Sequence, residues 1–192
     1  IKQGGEVKNF HPENYFNLLD YRQFDRSTQF AVATSKMALQ MSGVEDGVYD
    51  SRRLGCIFGT TMGNQQISEK YTNLLVGKNK ESIQCPFQNF QPNAMTSAIA
   101  AELKLKGPNL VIPTACAAGN YAIGHGADLI KSGKADCIVC GGSDAMSRVC
   151  YTMFSRLGAM SSDLCQPFDE NRQGMIVSEG AAALVLESYE SA

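Results

Sequence analysis

Of the seven cysteines in this chain, one stands where protein chains make nucleophiles. Cys116 lies at the join of two segments: NLVIPTA, residues 109–115, whose apolar run predicts a strand, and CAAGNYAIGHGADLIKSGKA, residues 116–135, which predicts a helix opening at the cysteine. A free thiol titrates near ~8.5, so little of it is thiolate at neutral pH. At a helix N-terminus, unpaired amide N–H groups and the positive end of the dipole favour the thiolate. The same N–H groups can hold an oxyanion when the sulfur attacks a thioester. Ala115, Ala117, Ala118 and Gly119 leave room for a substrate beside the sulfur, and Ala122, Gly126 and Ala127 continue the run of small residues. A helix so poor in bulk is expected to be buried among other elements. On spacing alone a second reading stays open: free cysteines are commonly small buried apolar residues.

The remaining reactive residue types offer less. An odd cysteine count in a chain of this size argues against a disulfide framework and for a reducing cytoplasm. Cys137 and Cys140 form a CxxC, but inside an apolar run where positions three apart face opposite sides of a strand, so they read as core thiols and neither metal nor redox chemistry is expected. GTTMGN, residues 59–64, lacks the lysine and spacing of a phosphate-binding loop and reads as a tight strand exit. Glu179 reads as a structural carboxylate that organises loops by hydrogen bonds, and Asp169 with Arg172 as a local pair or loop anchors. Phe87, Phe90 and Met95 lie in or just after a proline-bearing loop. The two histidines, His11 and His125, are expected to be uninvolved. Nine residues along a helix, His125 is half a turn out of phase with Cys116 and ~13.5 Å further along the axis, so it cannot share its proton.

The elements that must position Cys116 are strands alternating with helices. Phe30, Ala33, Met37 and Met41 recur at helical spacing after a possible cap at Asp25 or Ser27, and Gly43 stops the helix. Residues 54–58, 109–115, 181–187 and the run from Ala135 read as short buried strands. Helices are expected up to about Gly77 and over residues 94–105, and an irregular segment after the Ala135 strand. Such alternation predicts a layered α/β sheet. The chain has 192 residues, 44% hydrophobic and 19% charged, enough for one domain with a real core. A net charge of −2 without a basic stripe argues against nucleic acid. No apolar run approaches the ~18–20 residues that span a bilayer, and the polar stretch from Lys2 to Lys8 is unlike a signal peptide.

With these residues in view, the segment PTACAAGNYAIGHGADLIKSGKADCIVCGGSDA, residues 113–145, closely resembles the active-site segment of the beta-ketoacyl synthases of the thiolase superfamily. QPFDENRQGMIVSEGAAALVLESYE, residues 166–190, resembles the family's PFD…R-x-G…EGA…LVLE block. DRSTQFAVATSKMAL, GCIFGTTMG and LKLKGPNLVIPTAC match its upstream segments in order. The resemblance implies a thiolase-like layered α/β/α fold with a mixed, mostly parallel sheet, one half of a pseudo-twofold αβαβα architecture. Residues 1–192 would form the N-terminal half of the synthase domain, incomplete at both ends. It implies that Cys116 accepts an acyl chain from an acyl carrier protein and that a malonyl thioester, losing CO₂, attacks it, without cofactor or metal. Two histidines, in HGT and GH motifs, and a lysine would assist from the second half; no HGT occurs here, and His125, after Gly124, matches instead a histidine within the family's helix that carries no catalytic role. A homodimer, or a heterodimer with a related subunit, is implied, with the strand before the nucleophile near the twofold axis. The region around Phe87, Phe90 and Met95 would approach the acyl tunnel and the dimer interface. Gln166, Gln173, Ser178 and Ala182 depart from the family's usual residues and leave the subfamily open. The alternatives are a non-condensing partner subunit that fixes chain length, which usually lacks the cysteine retained here, and a starter-unit acyl transferase.

Overall fold

The computed structural model describes residues 3–44, 47–77 and 87–192; of Phe87 and Gln88 only the backbone is described, and Cys85 and Pro86, which open the proline-bearing loop expected there, lie outside the described residues. Four strands form one sheet: β1 (Leu54–Gly59), β2 (Asn109–Ile112), β3 (Cys137–Asp144) and β4 (Gly180–Glu187). Their order is β2-β1-β3-β4. β1 runs parallel to both β2 and β3, with Cys56 opposite Asn109 and Val139, while β4 is antiparallel to β3.

The two faces of the sheet are sorted by the period-2 alternation of strands. Cys56, Phe58 and Val139 point to one side, where helices α1 (Arg26–Ser42) and α4 (Asn93–Glu102) bury Val32, Met95 and Ile99 against them. Ile57, Ile138 and Cys140 point to the other, against Ala122 and Leu129 of helix α5 (Ala118–Lys131). The result is the layered α/β/α arrangement with a mixed, mostly parallel sheet. Met95 is thus a fully buried core residue, whereas Phe90 is half exposed. Cys137 and Cys140 are both fully buried.

α1 begins as its sequence predicts. The Asp25 carboxylate accepts the Ser27 N–H at 3.3 Å, and Gly43, at φ +73°, closes the helix in the left-handed conformation. Asp25 also accepts the N–H of Ile67 at 3.1 Å, in the first turn of helix α2 (Gln65–Val76), so one buried carboxylate holds the starts of two helices. Its burial pushes its pKa above the ordinary carboxylate value, opposed by those N–H bonds.

Four expectations need correction. The strand before Cys116 stops at Ile112, and α5 does not open at the cysteine: a 3-10 turn, Ala115–Ala117, intervenes. Where an irregular segment was expected there is a helix, α6 (Arg148–Arg156), capped by the Ser147 hydroxyl on the Cys150 N–H. Its start is fastened by α2, since Glu69 accepts the Val149 N–H at 2.7 Å and Gln66 donates to the Met146 carbonyl at 2.6 Å. The proline-bearing loop contains a one-turn helix, α3 (Phe87–Phe90). Finally, α5 is buried on one face only. Ala118, Ala122, Gly126 and Leu129 line the sheet, but Asn120, Gly124, His125 and Asp128 are exposed and Tyr121 is 62% exposed.

Candidate active site

Ligand sites of open α/β sheets form beyond the carboxyl ends of the parallel strands. Here that edge gathers the ends of β1, β2 and β3. The N–H of Thr60, just past β1, donates to the carbonyl of Ile112, the last residue of β2, at 3.2 Å. Four residues further on is Cys116. The 3-10 turn that carries it starts at Ala115 with φ +51°, a left-handed conformation that a non-glycine residue adopts at a cost. This bend turns the chain out of the sheet and leaves the cysteine exposed, between exposed Ala115 and Ala117. Among the described residues no side chain caps the 3-10 turn or α5, so the N–H groups at the helix start have no side-chain acceptor there.

Small residues allow the close approach. A methyl group on Gly59, the last residue of β1, would collide with the carbonyl of Ala118, and one on Gly142 of β3 would stand 3.5 Å from the Cα of Gly119. The first turn of α5 therefore sits directly on the strand ends, and Gly59 is the reason it can.

The turn after β1 is held by Asp144, the last residue of β3. Its carboxylate accepts the Thr60 hydroxyl at 2.8 Å, the Thr61 N–H at 2.9 Å and the Met62 N–H at 3.0 Å. Thr60's hydroxyl oxygen in turn accepts the Gly63 N–H at 2.9 Å. GTTMGN is thus a carboxylate-pinned strand exit. Met62 packs beside a small apolar cluster of Cys150, Met160 and Val177, partly covered by Met146 and Phe154. Nothing in the sequence reading singled out Asp144; the signal available was an acidic residue closing an otherwise apolar strand.

Glu179 organises loops as its position suggested. Its side chain, 1% exposed, accepts the Val7 N–H at 3.0 Å, the Met146 N–H at 3.1 Å and Arg26 Nε at 3.0 Å. Arg26 stacks on the Phe30 ring, 4.8 Å from its centre. Asp169 and Arg172 form a local turn, but not through an ion pair. The guanidinium donates to the Asp169 carbonyl at 2.9 Å, and the Asp169 carboxylate accepts the Asn171 N–H at 2.7 Å.

The other thiols are separated from Cys116 by environment. Burial pushes Cys56, Cys137 and Cys140 up to about 12. Cys150 is raised too, by its burial first. Among the described residues no side chain hydrogen-bonds to the Cys116 sulfur. His11 pairs with Glu13 at 3.3 Å, and His125 lies on the exposed side of α5.

The family profile described as "Beta-ketoacyl synthase, N-terminal domain" matches residues 2–192. A 3-oxoacyl-(acyl-carrier-protein) synthase 2 of Staphylococcus aureus is 32% identical over 200 residues, covering 100% of this chain and 49% of that protein. Among solved structures, the ishigamide ketosynthase/chain length factor is 34% identical with a TM-score of 0.86, over 97% of this chain and 47% of that one. A type II polyketide acyl carrier protein in complex with its ketosynthase bound to the hexaketide is 26% identical with a TM-score of 0.82, over 97% and 47%. The chain spans about half the length of each of these proteins.

Proposed function

The chain belongs to the beta-ketoacyl synthase family, and from that premise we propose that it supplies the nucleophile of an acyltransferase that builds fatty acid or polyketide chains on an acyl carrier protein. Cys116 attacks the carbonyl carbon of an acyl thioester; a new C–S bond forms and the carrier's thiolate leaves. A malonyl thioester then loses CO₂, and the electron pair left at its α-carbon attacks the acyl-Cys116 carbonyl, expelling the Cys116 thiolate. The observation that carries this reading is the exposed sulfur on a turn with a left-handed Ala115 at the strand ends, beside helix amides that no described side chain caps. Those amides, that of Cys116 included, suit the oxyanion of each step.

No general base stands beside Cys116 among the described residues, so the decarboxylation needs groups from the rest of the whole protein. The two histidines and the lysine implied by the family resemblance are proposed to lie there. The exposed face of α5, with Tyr121, and the outer strand β2, whose Leu110 is half exposed, suit further contacts with that remainder or with a second subunit, in a homodimer or a heterodimer. Six described cysteines are unpaired, which agrees with a reducing compartment. No helix among the described residues is long and apolar enough to cross a membrane.

The non-condensing, chain-length-fixing role is the second reading, prompted by the neighbour named as a ketosynthase/chain length factor. Retention of an exposed Cys116 favours the acylated role. Incubating the whole protein with an acyl-carrier thioester and mapping its peptides by mass spectrometry separates the two. An acyl group on Cys116, lost in Cys116→Ser and kept in Cys137→Ser, is expected. An unmodified Cys116 under conditions where the carrier thioester stays intact would sink the proposal.

A further inference from the structure

We infer that Asp144 is a positioning residue for acyl transfer: its carboxylate holds the turn of residues 60–63 against the segment that presents Cys116, and so shapes the space an acyl thioester must enter. The inference rests on the reading of Cys116 as the acyl acceptor and adds a residue to it. Three observations carry it. Asp144 accepts one hydroxyl and two backbone N–H groups from three successive residues, 60 to 62, at 2.8 to 3.0 Å. The same turn is bonded to the other side of the site, through Thr60 N–H to Ile112, four residues before Cys116. And Gly59, which leads into it, lies against the Ala118 carbonyl, two residues after Cys116. The turn is therefore gripped by β3 on one side and bonded to the nucleophile's own segment on the other. On this inference its shape sets the wall beside the sulfur.

Removing the carboxylate leaves two amide N–H groups and a hydroxyl without their acceptor, and a turn without its acceptor reorganises. Misplacing a reacting group's surroundings by about 1 Å can cost on the order of 10²-fold in rate. The thiol itself is untouched by the change, because Asp144 does not bond to it. This separates positioning from a general loss of structure. Acylation of Cys116 by a carrier-bound thioester depends on the wall; alkylation by iodoacetamide, a small reagent, does not.

The experiment uses the whole protein and measures both rates at Cys116 in Asp144→Ala, Asp144→Asn and Thr60→Val. Asp144→Ala is expected to slow acylation on the order of 10²-fold with alkylation within about twofold, while Asp144→Asn, which keeps one acceptor oxygen, recovers most of it. Thr60→Val removes one of the three donors and nearly preserves volume, so it remains informative if Asp144→Ala fails to fold; a several-fold loss confined to acylation is expected of it. Equal losses in both rates would mean that Asp144 acts on the fold or the thiol, and would overturn the inference. Unchanged acylation in the variants overturns it as well, leaving the acyl-transfer reading standing. No acylation of the unaltered protein overturns that reading and this inference together.

Discussion

Six described cysteines share one chain and differ only in surroundings. Cys56, Cys137 and Cys140 are fully buried, and desolvation pushes each up to about 12; Cys116 and Cys165 are exposed. Brief treatment of the folded protein with iodoacetamide should therefore label Cys116 and Cys165 and spare the three strand cysteines, which should label only after denaturation. Peptide mass mapping checks this, and early labelling of Cys137 or Cys140 would contradict the core packing. The turn that carries Cys116 and the burial of the core pair were legible in the sequence because a turn flanked by small residues and an apolar CxxC run are local patterns. The φ of Ala115 was not, since nothing in an alanine announces a left-handed backbone. Asp144 was missed because its partners lie 82 to 84 positions earlier, and a hydrogen bond over that separation leaves no periodicity to read.

At the scale of elements, α5 owes its place to Gly126. A methyl group there would collide with Cys140 Sγ and stand 3.4 Å from Leu186 Cδ1. Gly126→Ala gains helix propensity of ~1 kcal/mol but overpacks the interface at about 1–3 kcal/mol, so a net loss of stability is expected. Cys140→Ala in the same chain should recover part of it, because the two changes share one contact. Thermal unfolding of both variants decides this, and strict additivity would show that the helix does not rest on that thiol. The strands were legible because each is a short apolar run, and α1 because its 3.6-residue period ends in glycine. α6 was not, because Arg148–Arg156 is set by tertiary contacts, its start being bonded to Glu69 and Gln66 of α2. The one-sided burial of α5 escaped notice for a different reason: small side chains suit close packing on any face and do not say which face is used.

For the molecule as a whole, the three strand cysteines set an alkaline limit. Each moves from an ordinary 9.0 to about 12 in the folded chain. Between these values the folded state keeps protons that the unfolded state releases, so ν_U is smaller than ν_N and stability falls as pH rises. The contribution is fully present below pH 9 and is lost progressively up to about 12, at up to about 1.4 kcal/mol per pH unit for each thiol. Urea midpoints measured at pH 8, 9.5 and 10.5 should decline, and decline less in Cys140→Ala when each chain is compared with its own pH 8 value. A slope unchanged in that variant would contradict the assignment.

The Glu179 carboxylate has a consequence for how the chain is made. It fastens Val7, 172 positions earlier, together with Arg26 and Met146. A ribosome adding roughly 5–20 residues per second needs roughly 10 to 30 seconds to travel from one to the other. Throughout that interval the segment around Val7 lacks its latch, and the guanidinium of Arg26 waits for its counter-charge. Glu179, the residue just before β4, therefore secures a segment synthesised long before it, and the fold around Val7 and Arg26 closes only once that carboxylate has been made.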